Sequence, residues 1–94
     1  MKKIELDGFT FTGYSIPTTN VTMLVISAPK GGMLACGYIS RETADKFGDV
    51  LATVRGVNSF DDMLSANVCD VSQEAKKLGI SIGMTGREAL AKML

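Results

Sequence analysis

The chain has 94 residues, of which ten are basic and ten acidic, so its formal net charge at pH 7 is zero. This balance argues against nucleic-acid binding, which normally rests on an excess of lysine and arginine that neutralises phosphates. Hydrophobic residues make up 46% of the sequence and charged residues 21%, a composition that excludes a disordered chain. We find no linker or internal repeat, and therefore expect a single domain spanning residues 1–94.

Histidine is absent, and the only cysteines are Cys36 and Cys69. One chain therefore cannot build a Ser-His-Asp or Cys-His arrangement, nor supply the about four Cys or His ligands of a structural zinc site. We predict no metal and no cofactor. The N-terminal residues carry no long apolar stretch, and the longest apolar run, Met23–Ile26, is too short to span a bilayer. We therefore expect free thiols and a soluble protein of the reducing cytoplasm.

The first 40 residues predict a β-meander, in which each strand pairs with the next one along the chain. The four expected strands lie at residues 4–6, 9–16, 21–27 and 33–39. Gly13 interrupts the alternation of the second strand and predicts a bulge at that position. The near-continuous apolar run Val21–Ser27 is typical of a central strand that is covered on both faces.

The period of the apolar residues then changes, which predicts a helix after residue 40. Ser40 can cap its N-terminus, Glu42 suits the positive end of the helix dipole, and Gly48 stands where a C-terminal glycine belongs. Ala44 and Phe47 are expected to face inward.

Residues 50–57 admit two interpretations. The run is rich in β-branched side chains, which favours a fifth strand. The alternative is that the preceding helix continues to Arg55, because Ala44, Phe47, Leu51 and Val54 would then form one apolar stripe.

The last third of the chain is predicted to be mostly helical, with short helices opening at Ser59, Asp70 and Thr85. In the second and third of these, Gln or Glu follows the opening residue after three positions, which is the pattern of a capping box. Gly79 ends the second helix. The alternating residues 80–83 predict a short edge strand between the last two helices.

Together these elements predict an α+β fold. We expect a mostly antiparallel sheet of four to six strands, with three or four short helices that lie mainly in the C-terminal half and pack on one face of the sheet.

Cys36 is the first candidate functional residue. A reactive thiol needs an exposed, electropositive setting, but no base adjoins Cys36 in the sequence, and free cysteine is among the most buried residue types. We therefore interpret Cys36 as a core residue, and keep thiol chemistry as the alternative.

A candidate anion site lies at Gly83, Thr85, Gly86 and Arg87, where the final helix is expected to begin. Its first N–H groups would be unpaired, the glycines would let a ligand approach the backbone, and Arg87 would add a permanent charge. The alternative is purely structural, because Thr85 and Glu88 can satisfy each other in a capping box.

The stretch Leu78–Leu90 resembles the C-terminal signature of the YunC-like family, which groups small bacterial and archaeal proteins. Further parts that fit are Cys36-Gly37-Tyr38, Gly56-Val57 with the following 60–64, and residues 68–75. The resemblance implies a single-domain protein of unknown function and supplies no catalytic residues. It directs attention to Cys36, Gly83, Gly86, Arg87 and Glu88.

Three functions follow from these observations. The leading hypothesis is a non-enzymatic binding or assembly module that forms a homo-oligomer, because the aromatic-poor core and six Met residues favour burial against a second copy. The second is a small enzyme or ligand sensor that binds an anionic metabolite with Arg87 and Cys36; whether the protein is an enzyme is left open. The weakest is nucleic-acid binding, since residues 70–94 carry four basic and three acidic side chains.

Overall fold

The computed structural model describes all 94 residues and shows the expected α+β fold, a six-stranded sheet with four short helices. The strands are β1 Lys2–Leu6, β2 Phe9–Pro17, β3 Thr22–Ser27, β4 Met33–Ala35, β5 Leu51–Thr53 and β6 Asp70–Val71. The helices are α1 Arg41–Phe47, α2 Phe60–Ser65, α3 Gln73–Lys77 and α4 Gly86–Ala91. None of these helices is long and apolar enough to cross a membrane.

The order of the strands in the sheet follows their order in the chain. Every neighbouring pair is antiparallel except β4 and β5, which run parallel with Met33 opposite Leu51. A parallel pair needs a crossover connection, and α1 supplies it. As a result β4 and β5 have their carboxyl ends on the same side of the sheet, next to the first residue of the antiparallel β6.

The main core lies between one face of the sheet and the helices α2, α3 and α4. It contains 16 buried residues, among them Phe11, Ile26 and Leu34 from the strands and Met63 and Leu90 from the helices. Most helices thus pack on one face, as expected.

The bulge predicted at Gly13 is wrong. The ladder is continuous there, since Gly13 pairs with Lys2 on one side and with Ile26 on the other. A β-carbon at this position would lie 2.7 Å from the ring of Phe60. The glycine therefore serves the packing of α2 on the sheet.

Helix α1 begins as predicted, because the Ser40 side chain accepts a hydrogen bond from the Thr43 N–H at 3.3 Å. It ends at Gly48, whose φ of 74° is left-handed. Ala44 is buried, but the inward position predicted for Phe47 is wrong, because that side chain is 69% exposed. Ala44 packs against Ala35 and Leu51, whereas the Phe47 ring lies outside this cluster beside the Lys46 ammonium, 5.8 Å from the ring centroid.

Residues 50–57 contain β5, so the strand interpretation is confirmed and the continuous helix is wrong. The strand covers only Leu51–Thr53. The strand predicted over 33–39 is also shorter, because the chain leaves β4 after Ala35 and turns at Gly37 and Tyr38.

The capping box predicted at Asp70 and Gln73 is wrong, because Asp70 belongs to β6, a strand that the sequence did not predict. Ser72 caps α3 instead, accepting from the Ala75 N–H at 3.3 Å. The capping box at Thr85 and Glu88 is confirmed.

The edge strand predicted at 80–83 is also wrong. Those residues form a turn in which Ile80 is buried and the Gly83 N–H donates to the Val68 carbonyl at 2.9 Å. An isolated bridge between Asn67 and Thr85 takes the place of a strand.

Strand β3 is central, but the protomer covers only one of its faces. Leu24 and Ile26 point into the main core, whereas Met23 and Val25 on the opposite face are half-buried. The expectation of burial on both faces is therefore wrong within a single chain.

Candidate functional site

A cavity of about 480 Å³ opens where the carboxyl ends of β4 and β5 meet. We call it the strand-end cavity. Its lining consists of Val21, Thr22, Cys36, Gly37, Tyr38, Arg55, Gly56, Val57 and Asn58. These residues come from three separate stretches of the chain.

The parallel pairing of β4 and β5 brings these stretches together. Cys36 is the first residue after β4, and Arg55 follows β5 by two positions. Gly37 lies beside Arg55, since a β-carbon at position 37 would be in van der Waals contact with the Arg55 Cγ at 3.9 Å. Gly56 has a φ of 69°, which lets the chain turn away immediately after the arginine.

The wall of the strand-end cavity combines apolar and polar groups. Val21, Tyr38 and Val57 give it an apolar surface, while Arg55 and Asn58 provide hydrogen-bond donors. The Tyr38 hydroxyl lies 3.4 Å from the Thr18 hydroxyl, which holds the ring at the cavity mouth. Mostly apolar concave sites with a few polar groups are typical of small-molecule binding.

Arg55 is the only arginine without a carboxylate at salt-bridge distance. Arg41 pairs with Asp45 at 2.9 Å and with Asp70 at 3.1 Å. Arg87 pairs with Asp7 at 3.4 Å. The N–H groups of Arg55 are therefore not engaged by a carboxylate of the protein and are available to a ligand.

A second cavity of about 190 Å³ adjoins the first, and Gly37 and Arg55 line both. Its wall includes Arg41 and Asp70, which neutralise each other. Hydrogen bonding to Asp70, and then to Asp45, raises the pKa of Arg41. The wall also contains Glu42, so the two arginines and two carboxylates of this cavity leave no formal net charge.

Cys36 is 8% exposed and borders the strand-end cavity. Its Sγ accepts a hydrogen bond from the Leu24 N–H at 3.4 Å. Cys69 is exposed, and its Sγ contacts Thr53. Both thiols are free. The burial of Cys36 agrees with the core interpretation, and its chemical role stays a prediction.

The predicted anion-site residues lie at the start of α4, and none of them lines the strand-end cavity. The N–H groups of Gly83 and Gly86 already donate to carbonyls, those of Val68 and Ala66, both at 2.9 Å. The structure does not bring Arg87 together with Cys36. Anion binding at this end of α4 stays a prediction.

Glu88 occupies the space that a ligand would need at this helix end. Its carboxylate accepts hydrogen bonds from the Thr85 N–H at 3.1 Å and from the Thr85 hydroxyl at 3.0 Å. These two bonds lower the pKa of Glu88 below its ordinary value of 4.5. A negative charge is thus already present where an anion was expected.

Sequence reasoning missed Arg55, Tyr38 and Asn58 as site residues. The available signal was the pair Arg55-Gly56 directly after a β-branched run, since polar residues that follow buried strands often form binding sites. The cavity is completed by β4, which the sequence predicts as the last strand of a meander. Its parallel pairing with β5 is not indicated by the sequence.

The fold and the cavity define a small α+β domain with an open cavity at the ends of two parallel strands. The chain belongs to the family described as a domain of unknown function, DUF1805, which matches residues 35–93. It is 32% identical to the uncharacterised protein YunC of Bacillus subtilis (strain 168) over 97% of this chain and 93% of that protein. Its fold is similar to the crystal structure of TA1206, a protein of unknown function from Thermoplasma acidophilum, with 39% identity and a TM-score of 0.93. That similarity covers 99% of this chain and 90% of the other.

Proposed function

We propose that this protein is a non-enzymatic binding module that takes a small anionic ligand in the strand-end cavity. The observation that carries the proposal is Arg55, an arginine without a carboxylate partner in the wall of a cavity of about 480 Å³. Arginine binds carboxylate and phosphate in two parallel hydrogen bonds, so a guanidinium without a salt-bridge partner in a concave site favours such groups.

The ligand class follows from the rest of the lining. The volume lies within the range of about 300–1,000 Å³ that is usual for small-molecule sites. Val21, Tyr38 and Val57 favour a ligand with an apolar body, and Asn58 adds a polar contact. We therefore expect a small carboxylate or phosphate ester that has an apolar or aromatic portion.

The groups around Cys36 favour binding over catalysis. Its sulfur is buried and engaged by the Leu24 N–H, and the chain has no histidine to act as a base. A nucleophilic cysteine needs such activation. Cys36 would then shape the cavity wall rather than attack the ligand.

The proposal is tested by thermal melting of the protein with inorganic phosphate, benzoate, phenyl phosphate and the uncharged benzamide. We expect benzoate and phenyl phosphate to raise the melting temperature and benzamide to have no effect. The variant Arg55→Gln should lose this rise, whereas Arg87→Gln, which changes an exposed arginine away from the cavity, should keep it. Equal stabilisation by benzamide, or an unchanged response in Arg55→Gln, would refute the proposal.

The same experiment tests the rival site at the start of α4. If the anion bound there, Arg87→Gln would lose the response and Arg55→Gln would keep it. The two sites are therefore distinguished by a pair of variants that remove the same charge from two different places.

We also propose that the protein resides in the cytoplasm. Two free thiols, one of them exposed, support this location, because exposed thiols are stable in a reducing compartment. Fractionation of cells that express the full chain, with detection by antibody, is the direct test. Recovery of the protein outside the cytoplasm would overturn the assignment.

A further inference from the structure

The sheet has one face that the helices leave largely uncovered. We call it the open sheet face: the side of β1–β4 opposite α2 and α4. Cross-strand pairs on this face include Tyr14 with Val25, Ile16 with Met23, and Ser27 with both Thr12 and Met33. Helix α1 packs on this side of the sheet, but only over β4 and β5, where Ala44 meets Ala35 and Leu51.

The open sheet face is apolar for a surface exposed to solvent. Tyr14 is 41% exposed and Ile16 50% exposed, while Met23, Val25 and Met33 are half-buried. Solvent-facing sides of antiparallel sheets usually carry polar residues at these alternating positions. Contiguous exposed apolar surface is typical of an interaction site.

We propose that a second copy of this chain covers the open sheet face, so that the protein is a two-fold symmetric dimer with sheet packed on sheet. The proposal is independent of the ligand proposed for the strand-end cavity. A two-fold axis brings the same patch of both subunits together, and the patch must therefore be self-complementary.

The charges of this face meet that requirement. Its charged residues on β1 are Lys3 and Glu5, which lie on the same side as Thr12 and Thr10, their cross-strand partners. One positive and one negative side chain cancel, so the face does not favour a strongly basic or acidic partner. In a two-fold arrangement Lys3 of one subunit can approach Glu5 of the other.

The dimensions of the face can be compared with those of a stable interface. Strand β2 has nine residues, or about 30 Å at about 3.3 Å each, and three strand spacings of about 4.8 Å add a width of about 14 Å. The flat area is therefore at most about 420 Å², and a stable interface buries about 800 Å² per partner, so the dimer must also bury the side chains that project from the sheet.

Pairing of sheet edges is a poorer route to a dimer. At one edge, β1 carries Lys2, Lys3 and Glu5 among its five residues, and charged edge strands resist pairing. At the other edge, β6 has only two residues. Face packing is therefore the arrangement that the strands favour.

The test is light scattering coupled to size exclusion, from micromolar to hundreds of micromolar protein, on the full chain and two matched variants. Ile16→Lys places a charge on the open sheet face. Ile82→Lys makes the same change at a residue that is 63% exposed and lies in the turn before α4, away from that face.

We expect a mass near 20 kDa, twice the chain mass of 10.0 kDa, for the wild type and for Ile82→Lys. Ile16→Lys should run near the mass of one chain, with an unchanged far-UV circular dichroism spectrum. A wild type that stays at one chain mass at the highest concentration overturns the dimer. A dimeric Ile16→Lys overturns the assignment of its surface, and if that variant fails to fold, Tyr14→Lys makes the same test on the same face.

Discussion

The backbone of Gly86 lies so close to the carbonyl oxygen of Met63 that a β-carbon at position 86 would overlap that oxygen. The same β-carbon would lie 2.7 Å from Cδ2 of Leu34. This contact seats the first residue of α4 directly on α2 and on the sheet. Gly86 is thus required by packing, which differs from the role of ligand approach that its sequence position indicated.

Replacing Gly86 with alanine should therefore destabilise the protein strongly. The obstacle is a backbone carbonyl, which cannot rotate away as a flexible side chain could. We expect a loss of about 3 kcal/mol or more in the free energy of unfolding, the upper end of what overpacking usually causes. Urea denaturation followed by circular dichroism measures this directly.

Gly37→Ala is the matched control for this prediction. Its β-carbon would meet nothing closer than the Arg55 Cγ at 3.9 Å, and its φ is not left-handed. The change should alter stability by less than about 1 kcal/mol. Similar losses in both variants would show that the contact with Met63 is not the cause.

Ser72 should matter more to stability than its size implies. It is fully buried, and its hydroxyl accepts from the Leu51 N–H at 3.0 Å and donates to the Asp49 carbonyl at 2.8 Å, besides capping α3. Ser72→Ala would leave the buried Leu51 N–H without that acceptor. We expect a loss of about 2–4 kcal/mol in chemical denaturation, the sum of an unsatisfied group and a lost cap.

Ser59→Ala provides the comparison for Ser72→Ala. Ser59 is exposed and caps α2 through a single bond from the Asp62 N–H at 3.1 Å. Its replacement should therefore lose only about 1 kcal/mol. A loss as large as that of Ser72→Ala would contradict the role assigned to the buried network.

The capping box of α4 should make stability depend on pH. Because Thr85 lowers the pKa of Glu88 in the folded state, the unfolded chain binds a proton more readily at this residue. The contribution of Glu88 is therefore present above its ordinary pKa of 4.5 and is lost as the pH falls through the lower folded value. We expect wild type to be more stable than Glu88→Gln at neutral pH.

Urea unfolding of wild type and Glu88→Gln across the acid range checks this direction. The two proteins should converge below pH 4.5, since a protonated Glu88 resembles glutamine. A difference that persists or grows in acid would contradict the prediction.

In the same series Thr85→Ala should lose about 1 kcal/mol at neutral pH, whereas Arg87→Ala should change stability little, because its ion pair with Asp7 is exposed.

The local signals in the sequence predicted the elements that depend on local chemistry. The cap at Ser40 and the capping box at Thr85 both formed as expected. Each rests on hydrogen bonds or backbone angles set within a few residues. The same applies to residues 50–57, whose β-branched side chains favoured a strand over a helix and which contain β5.

Features that depend on distant partners were not predictable in this way. The strand β6 has only two residues, and Ser72 rather than Asp70 caps α3 because its hydroxyl also serves the distant Leu51. The strand-end cavity depends on the parallel pairing of β4 and β5, which no local pattern signals. The local sequence therefore does not single out Arg55, and its capping and glycine patterns indicate the residues at the start of α4 instead.

Cys36 and Cys69 should differ in their rate of reaction with a thiol reagent, because they differ in exposure. Cys36 is 8% exposed, whereas Cys69 is exposed at the edge of the sheet. A thiol reagent such as Ellman's reagent should therefore modify the native protein in two phases, one fast and one slow. In Cys69→Ser only the slow phase should remain, and in Cys36→Ser only the fast one.

The variant Cys36→Ser should also lose about 1–3 kcal/mol of stability, because a hydroxyl replaces a buried sulfur. Phenyl phosphate should slow the modification of Cys36 further if it fills the strand-end cavity, and leave Cys69 unchanged. Fast modification of Cys36 in the native protein, with no loss of stability in Cys36→Ser, would instead favour a reactive thiol and the enzyme hypothesis.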